Sequence, residues 1–197
     1  RVLFRSRKLY KMSKSVILDI GSGPHPKADA TDRMDMHQWA GVTKVHDLRH
    51  YPYPYEDNSA DKIYLGDVIE HLTKFDAPKV LKEIHRILKP GGKFEITCPD
   101  VLWIMTQIVN NTWNENANVD WLRQHEDPWD NAMDYLFGGW RHPEEHKIPG
   151  MGHVNGFCEQ SLERELFKAG FKDIKRVPDD RNPAPANGAV LKMVATK

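Results

Sequence analysis

Gly21-Ser22-Gly23-Pro24 follows the apolar run Val16-Ile17-Leu18 and Asp19-Ile20 directly. Such a turn suits close approach of a ligand to the backbone, because glycine presents no Cβ to obstruct it. Three acids, Asp19, Asp32 and Asp47, fall where short apolar or extended segments end. Carboxylates in those positions can accept hydrogen bonds from ligand hydroxyl and amino groups. Position 26 is Pro26 where a dinucleotide fingerprint wants its third glycine, and no Gly-Lys-Ser/Thr ending supports a P-loop. His153, just before Asn155-Gly156-Phe157, is a candidate general base, beside the plainer reading of a structural hydrogen bond. His142-Pro143-Glu144-Glu145-His146 formally matches a metalloprotease signature. That chemistry needs a helix that puts both histidines on one face, and Gly138-Gly139 and Pro149-Gly150 hem the segment in. No metal site is assigned to it.

The elements that must position these residues follow from pattern. Val16 to Leu18 is too brief for a helix and suits a buried parallel strand. A second extended segment is expected around 28–31, ending at Asp32, and a third over 43–46, ending at Asp47. The proline-rich and turn-rich stretch 51–59 separates them from a fourth strand, Lys62 to Leu65. Val80, Leu81, Ile84, Ile87 and Leu88 recur at helical spacing between Asp76-Ala77-Pro78 and the stop Pro90-Gly91-Gly92. Lys93 to Cys98 then reads as a strand, Val101 to Val109 and Glu159 to Ala169 as helices, and 173–177 and 189–195 as the last two strands. Strand and helix alternate, which implies a doubly wound α/β sheet with its ligand crevice at the carboxyl ends of the strands.

Several further segments fall in order with the glycine turn. They are Tyr53-Pro54-Tyr55-Glu56-Asp57-Asn58-Ser59-Ala60-Asp61-Lys62-Ile63-Tyr64, Val68-Ile69-Glu70-His71-Leu72, Ile84 to Gly92, and His153 to Phe171. Together they resemble the class I S-adenosylmethionine-dependent methyltransferases, in particular the compact group with hydrophobic-Asp-hydrophobic-Gly-x-Gly-Pro. The likeness is continuous over 16–98 and looser over 153–177. It implies a Rossmann-like methyltransferase sheet in three layers, mostly parallel with an antiparallel last strand. It also implies S-adenosylmethionine as cofactor and direct in-line methyl transfer to a small-molecule acceptor. By the resemblance, Gly21, Ser22 and Gly23 line the methionine end, with Asp19 oriented towards it. Asp32 holds the ribose hydroxyls, Asp47 the adenine amino group, Leu48 packs on the ring, and Gly66 and Asp67 close the pocket. Only eight residues separate Gly23 from Asp32, too few for a full crossover helix, so that link should be a turn. An alternative register runs a helix over 29–39 and makes Asp47 the ribose acid.

Composition bounds the partners. Lys plus Arg and Asp plus Glu both number 28. Segment 100–156 carries nine acids against three bases, a surface that repels a nucleic-acid backbone. No apolar run reaches the roughly 18 residues of a membrane span. Cys98 and Cys158 stand alone, which fits a reducing cytoplasm. The chain reads as a basic leader over 1–14 and a single domain over 15–197, with a Trp-rich insertion or lid at about 100–156. Two other readings stay open: a non-catalytic cofactor-binding partner or sensor module, and a metal-dependent hydrolase using His142, Glu145 and His146.

Overall fold

Ile17–Ile20 forms β1 inside the sheet, where both edges of a strand find backbone partners. In the computed structural model, residues 14–117, 122–123, 125–138, 152–182 and 188–197 are described. The strands are β1, β2 (Asp32–Asp35), β3 (Lys44–Val45), β4 (Ala60–Gly66), β5 (Leu88–Pro99), β6 (Lys172–Arg176) and β7 (Val190–Thr196). They lie in the order β3-β2-β1-β4-β5-β7-β6, and β7 runs antiparallel to both of its neighbours. The expected doubly wound plan with an antiparallel last strand is therefore observed. Its links from β1 to β2 and from β2 to β3 contain no helix.

One face of the sheet is apolar. Leu18, Ile20, Ile63, Leu65, Phe94, Ile96 and Met193 meet α1 (Ala77–Ile87) and α5 (Glu159–Ala169), which contribute Val80, Leu81, Ile84, Leu162 and Leu166. Each such side chain taken fully out of water contributes roughly 1.5–3 kcal/mol. Pro78 in the first turn starts α1, and Gly170, in the left-handed region, ends α5. On the opposite face Glu95 is paired with Lys62 at 3.4 Å and Lys192 at 3.0 Å.

The insertion packs separately. Val101–Val109 forms α2, Trp113–Asn116 α3 and Pro128–Phe137 α4. Ile104, Trp113, Ala117, Leu122 and Ala132 make a small second core that reaches the sheet at Ala189. Trp113 is fully buried there, with Trp103 against it at 5.9 Å between ring centroids, while Trp129 is exposed. Trp121, Trp140 and the His142, Glu145, His146 triplet lie outside the described residues.

The second strand corrects the sequence reading. It begins at Asp32 instead of ending there, because residues 27–30 close a turn through Ala30 N–H to the Lys27 carbonyl, and pairing with β1 starts at Thr31. The alternative helix over 29–39 does not form either.

Candidate functional site

The turn after β1 is fastened to the end of β2. The N–H groups of Gly21 and Ser22 donate to the Met34 carbonyl at 2.7 and 3.3 Å, and Gly23 N–H donates to Asp35 Oδ2 at 2.9 Å. Asp35 Oδ1 accepts from His37 N–H at 2.8 Å. Asp35 is thus the carboxylate at the carboxyl end of β2. Asp32 sits at the other end, paired with Leu18 and held by Lys44 and Thr43. Burial acts to raise the Asp32 pKa, but the bonds from Lys44 and Thr43 outweigh it and keep the carboxyl below its ordinary range. The structure does not bring Asp32 to the glycine turn.

Asp19, beneath the turn, is nearly buried, and its carboxylate accepts Lys27 N–H at 2.7 Å, which holds the returning loop. Burial raises its pKa, partly offset by Lys27. Beyond β3, Asp47 takes a bidentate grip from Arg49 at 2.9 and 2.6 Å, and that bond holds its pKa at about 2. Leu48 is buried, and its carbonyl accepts the Tyr53 hydroxyl at 2.9 Å. Gly66 ends β4, and Asp67 follows with φ +54°, accepting from Thr97 Oγ1 at 3.0 Å and from Arg181.

Gly21 and Gly23 differ in a way that can be measured. Both have positive φ, +69° and +55°, but a Cβ on Gly21 would stand 2.4 Å from Val68 Cγ2, whereas one on Gly23 meets nothing within 4 Å. Gly23→Ala should cost about 1–2 kcal/mol of stability from backbone strain alone. Gly21→Ala adds the displaced Val68, for about 3 kcal/mol or more. Urea denaturation of both variants checks this, and equal losses would show that Val68 yields freely.

The carboxyl edge of β4 gathers residues that sequence reasoning left aside. A single 3-10 turn, Ile69–His71, follows β4, and the Glu70 carbonyl accepts from Val154 N–H at 2.9 Å and Asn155 N–H at 3.1 Å. This seats the loop that carries His153. His153 N–H donates to the Phe137 carbonyl at 2.7 Å and its Nδ1 bonds the Leu136 carbonyl at 3.1 Å, both at the end of α4. The His71 and His153 rings meet edge-on at 4.8 Å. Burial first, and then His71, lowers the His153 pKa to about 4. A base of that strength is poorly matched to taking a proton at neutral pH. Glu70 is pushed the other way, well above its ordinary value, by burial and then by Asp67. Burial likewise raises the Tyr135 pKa, with Asp67 and Arg181 in electrostatic reach.

The residues present fit a nucleoside cofactor on the evidence of their unmet hydrogen bonds. Among the described residues Ser22 Oγ, His37 Nε2 and Glu70 Oε2 are buried and have no hydrogen-bond partner, and they stand just beyond the ends of β1, β2 and β4. Buried polar atoms are ordinarily satisfied, so three orphans along one edge mark where a polar ligand belongs.

Comparison with known proteins agrees with this geometry. A methyltransferase domain family model matches residues 3–176. Dimethylglycine N-methyltransferase of Parasynechococcus marenigrum is 46% identical over 55 residues, 28% of this chain and 19% of that protein. Phosphoethanolamine N-methyltransferase 2 of Caenorhabditis elegans is 44% identical over 45 residues, 23% of this chain and 10% of that protein. The matches thus span a fifth or less of those curated relatives. A crystal structure of an S-adenosylmethionine-dependent methyltransferase from Thermotoga maritima superposes with a TM-score of 0.57 at 16% identity, covering 95% of this chain and 84% of that one. The sheet order, the glycine turn wired to the end of β2 and the matched family model lead to one assignment: the chain belongs to the methyltransferase domain family, built on the class I fold.

Proposed function

We propose that the chain transfers a methyl group from S-adenosylmethionine to a small-molecule acceptor by direct in-line displacement, with Asp35 in the ribose-binding role that the sequence assigns to Asp32. The observation that carries this is the Asp35 carboxylate, anchored by Gly23 and His37 at the carboxyl end of β2, beside the orphaned Ser22 hydroxyl. Asp35 accepts from the ribose diol, since each carboxylate oxygen retains a lone pair after its backbone bond. Asp47 accepts from the adenine amino group, with Leu48 against the ring. Gly21, Ser22 and Gly23 receive the methionine end, Asp19 holds the loop beneath it, and Gly66 and Asp67 form the wall from β4. When bound, the cofactor supplies an activated sulfonium methyl group, so the protein's tasks are orientation and exclusion of water.

The acceptor side is formed by Glu70, His71, Tyr135, His153 and Arg181. The acidic insertion supports a small acceptor over a nucleic acid. The two curated relatives are named for small amines, which favours the same class. Incubating the purified chain with methyl-tritiated cofactor and fractionated metabolites should move label into a small-molecule fraction. Tight S-adenosylhomocysteine binding with no label transfer to any fraction would instead make the chain a non-catalytic binding module.

A further inference from the structure

Glu70, His71 and His153 come from two segments far apart in sequence, yet one donor atom from each lies within 4.8 Å of the others. Three features of this cluster exceed what a packed histidine pair requires. First, Glu70 is 2% exposed and its Oε2 has no hydrogen-bond partner among the described residues, although two imidazoles stand beside it. A buried carboxyl group next to imidazoles would ordinarily bond one of them, so this oxygen is aimed at something else.

Second, each imidazole is oriented by a backbone carbonyl. His71 Nδ1 lies 3.2 Å from the Gly152 oxygen, and His153 Nδ1 lies 3.1 Å from the Leu136 oxygen. A carbonyl only accepts, so both Nδ1 atoms carry the proton and both lone pairs are on Nε2. That outer shell is the one metal-bound histidines use to fix tautomer and ring direction. Third, the two segments are already fastened: Val154 and Asn155 N–H bond the Glu70 carbonyl, and His153 N–H bonds the Phe137 carbonyl. These backbone bonds fix the two segments against each other.

We propose that Glu70, His71 and His153 bind one divalent transition-metal ion of the zinc and cobalt class. Two imidazole nitrogens and one carboxylate oxygen form a borderline donor set that suits these ions over calcium or magnesium. Bonds of about 2.1 Å in a tetrahedral site place donors about 3.4 Å apart, so the side chains close by little more than an ångström at most. Among the described residues three protein donors are available, one fewer than the four positions of a tetrahedral ion. The cluster is beside the end of β4, on the acceptor side of the crevice. Ion binding stands independently of the methyl-transfer reading.

The test uses untagged protein stripped with a chelator, dialysed, and titrated with cobalt(II). The wild-type chain should take up one equivalent and develop visible d–d absorption, with calorimetry giving the same stoichiometry. Glu70→Gln and His153→Asn should each weaken uptake by roughly 100-fold, with circular dichroism confirming that both remain folded. Should either lose its fold, His71→Gln supplies the comparison. Absence of stoichiometric cobalt uptake by the wild-type chain, or uptake unchanged in a His71→Ala/His153→Ala double variant, overturns the proposal. S-adenosylhomocysteine affinity measured on the same stripped protein separates the two readings: cofactor binding without cobalt binding removes the metal site alone.

Discussion

Asp35→Asn should weaken S-adenosylhomocysteine binding by roughly 100-fold by calorimetry, while Asp32→Asn leaves it within about twofold, because losing one charge-assisted hydrogen bond costs about 1.5–3 kcal/mol. The contrast follows from where each carboxylate stands. Asp35 ends β2 and fastens the turn through Gly23, whereas Asp32 begins β2 and spends its charge on Lys44 and Thr43. Asparagine keeps one carbonyl oxygen, enough for the Gly23 N–H, so Asp35→Asn retains the turn's anchor while it gives up the His37 bond and the charge offered to the ribose. The reverse pattern of losses would restore Asp32 to the ribose role.

Asp100→Ala should destabilise the fold by about 3–5 kcal/mol, the range for removing one partner of a buried ion pair. Asp100 is 4% exposed and performs two tasks at once. One carboxylate oxygen accepts Trp103 N–H at the start of α2, and the other meets Arg176 Nη1 at 2.8 Å. Arg176 Nη2 is already a buried orphan, so losing Asp100 leaves the guanidinium, among the described residues, the half-exposed Glu159 at 3.5 Å. Asp100→Asn retains the cap and should lose about half as much. A fall in the urea midpoint at constant slope measures both, and a loss under about 1 kcal/mol for the alanine variant would mean that Arg176 re-pairs.

The turn after β1 was legible because glycine at a strand end has few other uses, and α1 and α5 because their apolar residues recur at helical spacing. β2 was not. Asp32-Arg33-Met34-Asp35 offers a single apolar residue, so its pattern is weaker than that of the Ala-rich turn just before it, and the strand was read about four residues early. Met34, the one large apolar residue of the stretch, was the signal available. α4 carried a usable start, Asp127-Pro128-Trp129, with the Asp127 side chain accepting Trp129 N–H, but its surroundings obscured the period. Glu70 could not be read as part of a site, because sequence does not show that a carboxyl group is buried without a partner. Nothing in the sequence marks Arg181, and only the folded chain shows it meeting Asp67.

The insertion's separate core has a consequence for how such an enzyme changes its substrate. Ile104, Trp113, Leu122 and Ala132 pack on one another and on Ala189 just before β7, and Asp100 ahead of α2 is tethered to Arg176 of β6. The end of α4 in turn supports His153 through Leu136 and Phe137. Tyr135 on α4, and His153 through its bonds to the end of α4, are thus carried by a unit whose interior can be rebuilt without disturbing Leu18, Ile63 or Phe94 in the main core. Glu70, His71 and Arg181 are held instead by the sheet's own loops. Selection can retool the one half of the crevice while the other stays constant, so a shared fold carries little information about which molecule is methylated.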